Sequence, residues 1–350
     1  MRKVLYVPLD DRDCNYQFPW LLSQMTEGLE LLRPPYEWMG FLKKPANREK
    51  IWEWLFEQAG ECDYAILSVD TLVYGNIIGS RIHTYSMEEC RETMDRFRQL
   101  KKQNPQLHIH AFNLAARVAA YNDNHEDPEY WQEYGYDIWR YTWLWDKKKR
   151  AEISEKEAEE LESLQKKIPE EIMQDFLERR KTDRFVNLTS VELVRENVFD
   201  ILTVPKDDTA EFGYAALDQM AIMQKAEGEQ LMDRVYCYPG ADEVGSVIFA
   251  RVFCQIKQYQ PVFYVRYSSL TGSSVIPLYE DRPLGESIKW QILSAGGICS
   301  ETPADADCML AVNASGTCQI ESANQKNGRN FASDNATNPE ELLRYIRYYK

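Results

Sequence analysis

The sequence predicts an α/β protein, and three observations carry that prediction. Short apolar, β-prone runs alternate with longer segments of helical periodicity along all 350 residues. Six of those runs end on acids or an amide. Residues 4–9 meet Asp10-Asp11, 64–69 meet Asp70, 109–112 meet Asn113, 201–205 meet Asp207-Asp208, 236–240 meet Asp242-Glu243, and 275–279 meet Glu280-Asp281. Third, neither a GxGxxG after the first strand nor a GxxxxGK[ST] or GxSxG occurs, so dinucleotide, P-loop and nucleophile-elbow readings have no support. Parallel strands share one carboxyl edge, where ligands bind. Acids at many strand ends suit a (β/α)8-type barrel with a helical insertion better than an open doubly wound sheet, which binds at one switch point and is kept as the alternative.

The elements follow in order. Residues 3–9 read as a strand, 18–32 as a helix, 37–42 as a second strand, and 48–59 as a helix with Ile51, Leu55 and Ala59 on one face. After the strand at 64–69, the stretch 71–81 carries glycines too closely spaced for a regular helix and reads as a functional loop. A helix at 87–102 and a strand at 107–112 come next. Residues 129–182 form a helical insertion with charge on most faces and a break at Pro169, expected to cover the core while contributing little to it. Alternation resumes with helices at 187–196, 214–226 and 244–258 and strands at 200–204, 235–238, 262–268 and 275–279. A helix at 284–294, a short strand at 309–313, a Ser/Asn/Gly-rich stretch and a final helix at 339–349 complete the chain. The whole reads as one catalytic-type domain, 1–350, within which 260–350 is separable as an α/β subdomain.

Composition narrows the function. No run approaches the roughly 18 apolar residues of a membrane span, and the N-terminus lacks the features of a signal peptide, so a soluble, cytoplasmic protein without a membrane partner is expected. A net charge of −15 repels nucleic acid and anionic lipid. Eight cysteines without a CxxC pair read as buried free thiols, and four histidines are too few for a histidine-rich metal site. The 9 Trp and 21 Tyr fall largely at helical spacing, which points to core more than to sugar platforms. Nothing here sets the oligomeric state.

A single Asp after a strand commonly caps the next helix, but a cap uses one carboxylate, so the doublets ask for a site. The catalytic candidates are Asp207 and Asp208, because adjacent acids push their pKa values apart and supply one charged and one protonated partner. Candidates for holding substrate are Asp10, Asp11, Arg12, Asn15, Asp70, Tyr74, Arg81, Asn113, Asp242, Glu243, Glu280 and Asp281.

Five motifs, VPLDDRDCNYQFP (7–19), SVDTLVYGNIIGSR (68–81), PKDDTAEFGY (205–214), YPGADEVGSVIFAR (238–251) and PLYEDRPLGESIKWQI (277–292), resemble the bacterial domain of unknown function 4127 family in the family's order. Asp13 follows Arg12 where the family reads DDRP, and LAARVAAY after Asn113 replaces a Met-Arg-Thr-Pro-like segment around Arg117. Family members extend past this length, which implies a C-terminal module not included here. Asp207-Asp208 is also similar to the acid pairs of barrel glycosidases acting on 2-acetamido sugars. That similarity implies a glycoside hydrolase with a glycan or small-molecule substrate, substrate-assisted and without a cofactor. Two alternatives stay open: a metal-dependent hydrolase or phosphoryl-transfer enzyme holding Mg²⁺ or Mn²⁺ on the same carboxylates, and a non-catalytic sugar- or metabolite-binding protein.

Overall fold

The computed structural model describes residues 1–207, 210–277, 280–314 and 339–348. It divides into two compact units, 1–246 and 247–350.

In the first unit, β1 (Arg2–Val7) is a continuous apolar run, and Val4, Leu5, Tyr6 and Val7 are all fully buried, as expected of a parallel strand covered on both faces. Two short helices follow, α1 (Asp13–Tyr16) and α2 (Phe18–Gln24), then β2 (Leu29–Leu32). The helix expected over 18–32 therefore stops early, because the four residues of β2 pair in parallel with β1, Arg2 against Leu29 through Leu5 against Leu32. The strand expected at 37–42 is absent. Residues 36–38 form a tight turn of 3₁₀ helix instead.

α3 (Arg48–Gln58) leads to β3 (Tyr64–Ser68). The expected loop at 71–81 is two short helices, α4 (Val69–Tyr74) and α5 (Ile77–Ile82). Its glycines punctuate rather than disorder: Gly75 ends α4 at φ +103° against Pro45, and the Asn76 side chain caps α5 by accepting from the Gly79 N–H at 2.6 Å. α6 (Met87–Gln103) starts in a reciprocal Ser86–Glu89 capping box and is followed by β4 (His108–Phe112). Helices α7 (Trp131–Arg150), α8 (Glu155–Lys167) and α9 (Glu170–Arg195) come next, broken at Pro169 between α8 and α9. The insertion is not a mere cover. Trp131, Ile138, Ile168 and Phe176 build a small core of their own, and α9 runs unbroken for 26 residues from that region into the main core through Val186, Val191 and Val194.

β5 (Ile201–Lys206), α10 (Tyr214–Gly228), β6 (Val235–Pro239) and α11 (Val244–Lys257), within which the unit boundary falls, complete the alternation. The sheet order is β2-β1-β3-β4-β5-β6, and every pairing is parallel. This is an open sheet and not the expected eight-stranded barrel. The described strands divide into sheets of six and three, and β2 and β6 stand at opposite ends of the larger one. The chain leaves β1 to one side for β2 and returns on the other for β3, so the switch point lies between the carboxyl ends of β1 and β3.

The second unit has a three-stranded parallel sheet in which β7 (Val262–Tyr267) lies between β8 (Ile298–Ser300) and β9 (Cys308–Val312), with helices α12 (Leu284–Ser294) and α13 (Pro339–Tyr348). Of the strand expected at 275–279, residues 275–277 are irregular and 278–279 lie outside the described residues. The seven described cysteines form no disulfide among the described residues. Cys62, Cys90 and Cys237 are buried, whereas Cys299 and Cys308 are exposed, contrary to the expectation of uniformly buried thiols. Among the described residues no helix is long and apolar enough to cross a membrane.

Candidate functional site at the carboxyl edge of the six-stranded sheet

The chain leaving β1 is fastened before it presents any charge. Thr71, in the first turns of α4, donates its hydroxyl to the carbonyls of Pro8 and Leu9 at 2.7 and 2.8 Å. Asp10 is buried, accepting from the Arg12 backbone N–H, from Arg12 Nε and Nη2, and from Asn15 Nδ2 at 2.7–3.0 Å. Its task is to orient Arg12, whose Nη2 also reaches Asp242 Oδ1, just past β6, at 2.7 Å. Arg12 is 45% exposed at the side chain, so the guanidinium bridging Asp10 and Asp242 faces solvent. Asn15 is fully buried, and its Oδ1 finds no partner among the described residues. Asp11 stands beside Tyr36, whose hydroxyl donates to it at 3.4 Å; burial raises the Asp11 carboxyl above its ordinary pKa.

A second network joins β5 to the two segments that follow β3 and β4. Arg81, buried in the last turn of α5, donates Nη2 to Asp207 Oδ2 at 2.6 Å and Nη1 to Glu126 Oε2 at 2.8 Å. Arg117 donates Nη2 to the same Glu126 oxygen and to Asp127 Oδ2, each at 3.1 Å, and to the Tyr121 hydroxyl at 2.6 Å. Adjacent acids are driven apart. Burial pushes both up, but at Glu126 the attraction and hydrogen bonds of Arg81, then Arg117, outweigh it and leave the pKa below the ordinary value. At Asp127 burial wins over Arg117 and Arg81, and the pKa rises.

Asp70 belongs elsewhere. It is fully enclosed, accepting from the Leu114 backbone N–H at 2.9 Å and Asn113 Nδ2 at 3.2 Å, while Asn113 Oδ1 accepts from Asn187 Nδ2 at 2.7 Å and Ser190 Oγ at 3.2 Å. This chain of bonds ties β3, β4 and α9 together and holds both Asp70 and Asn113 buried. Burial raises the Asp70 pKa to about 7, partly offset by the Leu114 and Asn113 hydrogen bonds. Tyr74 is buried as well. It stacks on His83 at 4.5 Å, and His83 Nδ1 accepts from the Tyr85 N–H, which leaves Nε2 to donate to Asp183 Oδ1 at 3.0 Å. Tyr74 is thus a core residue.

The structure brings Asp10, Asp11, Arg12, Asn15, Arg81, Asp207 and Asp242 to the carboxyl edge, with Glu243 half-buried beside Asp242. Asp208 lies outside the described residues. Glu280 and Asp281 belong to the second unit, where Glu280 accepts from Ser287 Oγ and Asp281 pairs with Arg282. Sequence reading missed Glu126, Asp127 and Tyr121, which follow no strand directly. It also missed Lys206, a lysine buried at the end of β5 whose position inside an apolar run was its one signal. Among the described residues no three His, Cys, Asp or Glu side chains come together as metal ligands, and Asp10, Asp207, Asp242 and Glu126 pair with arginines, whose charge opposes a divalent cation. A separate groove of about 370 Å³, lined by Ile82, Pro128, Tyr130, Ile172 and Arg179, holds none of the strand-end acids.

No curated protein and no solved structure matches the chain. The model of the family described as protein of unknown function, DUF4127, matches residues 4–347, and the chain belongs to that family.

Proposed function

We propose that this edge is the active site of a glycoside hydrolase acting on a 2-acetamido sugar. Asp207 orients and steadies the acetamide, and Asp208 is the general acid. The observation that carries the reading is the setting of Asp207. Its carboxylate is fixed at 2.6 Å by the buried Arg81, which also holds the part-exposed Glu126, and Arg117 joins that acid to the exposed Tyr121, a mixture of acids, guanidinium donors and an aromatic ring that suits sugar hydroxyls and a sugar ring. In the reaction the acetamide oxygen attacks the anomeric carbon, the glycosidic C–O bond breaks, and the leaving oxygen takes the Asp208 proton. Water, deprotonated by Asp208, then opens the cyclic intermediate and restores the acetamide.

The test is a panel of 2-acetamido and 2-hydroxy aryl glycosides with wild type, Asp207→Asn and Asp208→Asn. Loss of the general acid should slow substrates with poor leaving groups far more than activated ones, whereas Asp207→Asn should slow both alike. Turnover abolished by EDTA and restored by Mg²⁺ or Mn²⁺ would move the site to metal-dependent hydrolysis. Tight sugar binding with no turnover of any glycoside would make the protein a receptor.

A further inference from the structure

Arg81 and Arg117 meet over a single atom, Glu126 Oε2. Each arginine also has a carboxylate of its own, Asp207 for Arg81 and Asp127 for Arg117, so Glu126 is the shared counter-ion. It is also the most loosely enclosed of the three. Its side chain is 39% exposed, against 13% for Asp207 and 7% for Asp127. Glu126 sits in the 113–130 stretch between β4 and α7, which contains no helix or strand beyond one bridge from Ala115 to Lys206. The two guanidinium groups repel each other, and a carboxylate between them relieves that repulsion. Arg81 is 6% exposed at the side chain, and its buried Nε–H has no partner among the described residues, so its two acids leave a donor unused.

We infer that the gap between Arg81 and Arg117 is a carboxylate-binding subsite which Glu126 fills in the free protein, and that the carboxylate of an acidic sugar takes its place on binding. The inference rests on the proposed hydrolase reading for the sugar ring and not for the carboxylate. A carboxylate is favoured over a phosphate because the resident group is a carboxylate, and exchanging one for the other conserves charge at the site. Asp207 and Asp127 stay in place during the exchange and keep both guanidinium groups aimed at the gap. The displaced Glu126 moves into water, where its charge is solvated. Its occupancy therefore lowers apparent affinity by the fraction of time the subsite is filled.

Calorimetric titration of the full chain with glucuronate, glucose and inorganic phosphate tests this. Glu126→Gln removes the competing charge while keeping the side chain's size, and should bind glucuronate on the order of tenfold more tightly than wild type, with no gain for glucose. Adding Arg117→Lys to Glu126→Gln should abolish the gain, since the planar fork is lost. Thermal unfolding of each variant, with and without glucuronate, checks the fold. Glu126→Gln should melt below wild type alone and recover in glucuronate. Should Glu126→Gln fail to fold, Glu126→Asp, with a shorter reach to the gap, should show the same gain in smaller measure. Equal glucuronate affinity in wild type and the Glu126 variants, an equal gain for glucose, or phosphate binding as tightly as glucuronate would overturn the subsite. Glucuronate binding without glycoside turnover would keep the subsite and remove the hydrolase. Turnover of neutral 2-acetamido glycosides with no glucuronate gain in either Glu126 variant would do the reverse.

Discussion

In the first unit Asp10 after β1 and Asp207 after β5 are paired with arginines, and the pair at β5 is made over a long span of chain: Arg81 and Asp207 are 126 residues apart. In the second unit the acids at 280–281 bond to near neighbours, Glu280 to Ser287 seven residues on and Asp281 to Arg282 next in the chain. The difference tracks burial. The inner residues of β1, β3 and β4 are fully enclosed, whereas every residue of β7 is partly exposed. An acid beside an enclosed sheet has lost its water and must be paired, from wherever the fold can bring a cation; an acid beside a partly wet sheet is served by water and local donors. The same pattern in sequence, an apolar run ending on acids, therefore yields a long-range network in one unit and bonds to near neighbours in the other.

The largest expected effect breaks the network at its centre. Arg81→Ala leaves Asp207 and Glu126 without their shared cation, and urea unfolding should show a loss of roughly 3–5 kcal/mol. A loss under about 1 kcal/mol would place this edge on a par with the second unit and end the contrast.

Next is Asp70, enclosed without a cation. Its folded pKa, about 7, lies above the ordinary carboxyl value, so between about pH 4 and 7 the folded state holds a proton that the unfolded state has released. Its contribution is therefore fully present at low pH and is lost as pH rises through about 7. Asp70→Asn does not titrate. Wild type should therefore lose up to about 4 kcal/mol of stability relative to the variant from pH 4 to pH 8. A pH-independent difference would show that Asp70 reaches water.

Arg12→Lys keeps the charge but removes the planar fork that joins Asp10 to Asp242, and should cost on the order of 1–2 kcal/mol. An unchanged midpoint in urea, together with unchanged sugar affinity, would remove Arg12 from the site. The smallest effect belongs to the second unit. Lys289→Ala breaks a half-exposed pair with Glu286 one helical turn away and should cost under about 0.5 kcal/mol.

What the sequence determined by itself is what depends on residues near each other along the chain. The strands β1, β3, β4, β5 and β6, the break at Pro169 and the polar residues at the strand ends were all legible, because alternation, helical period and proline chemistry act over a few residues. β2 was not. Its four residues carry too little pattern, and only pairing with β1 makes them a strand. Gly75 was legible as an interruption but not as the boundary between two helices, since its left-handed turn packs against Pro45, thirty residues earlier, where a Cβ would not fit. The strand order, and with it the open sheet in place of a barrel, was decided only in three dimensions, because it depends on which side of β1 the chain returns. The same holds for the site. Asp70 and Asp10 look alike in sequence, each following a strand. Packing of α9 and the Asn113 segment encloses Asp70, while Arg12 holds Asp10 and reaches solvent, and burial and partnership of this kind are properties of the folded chain.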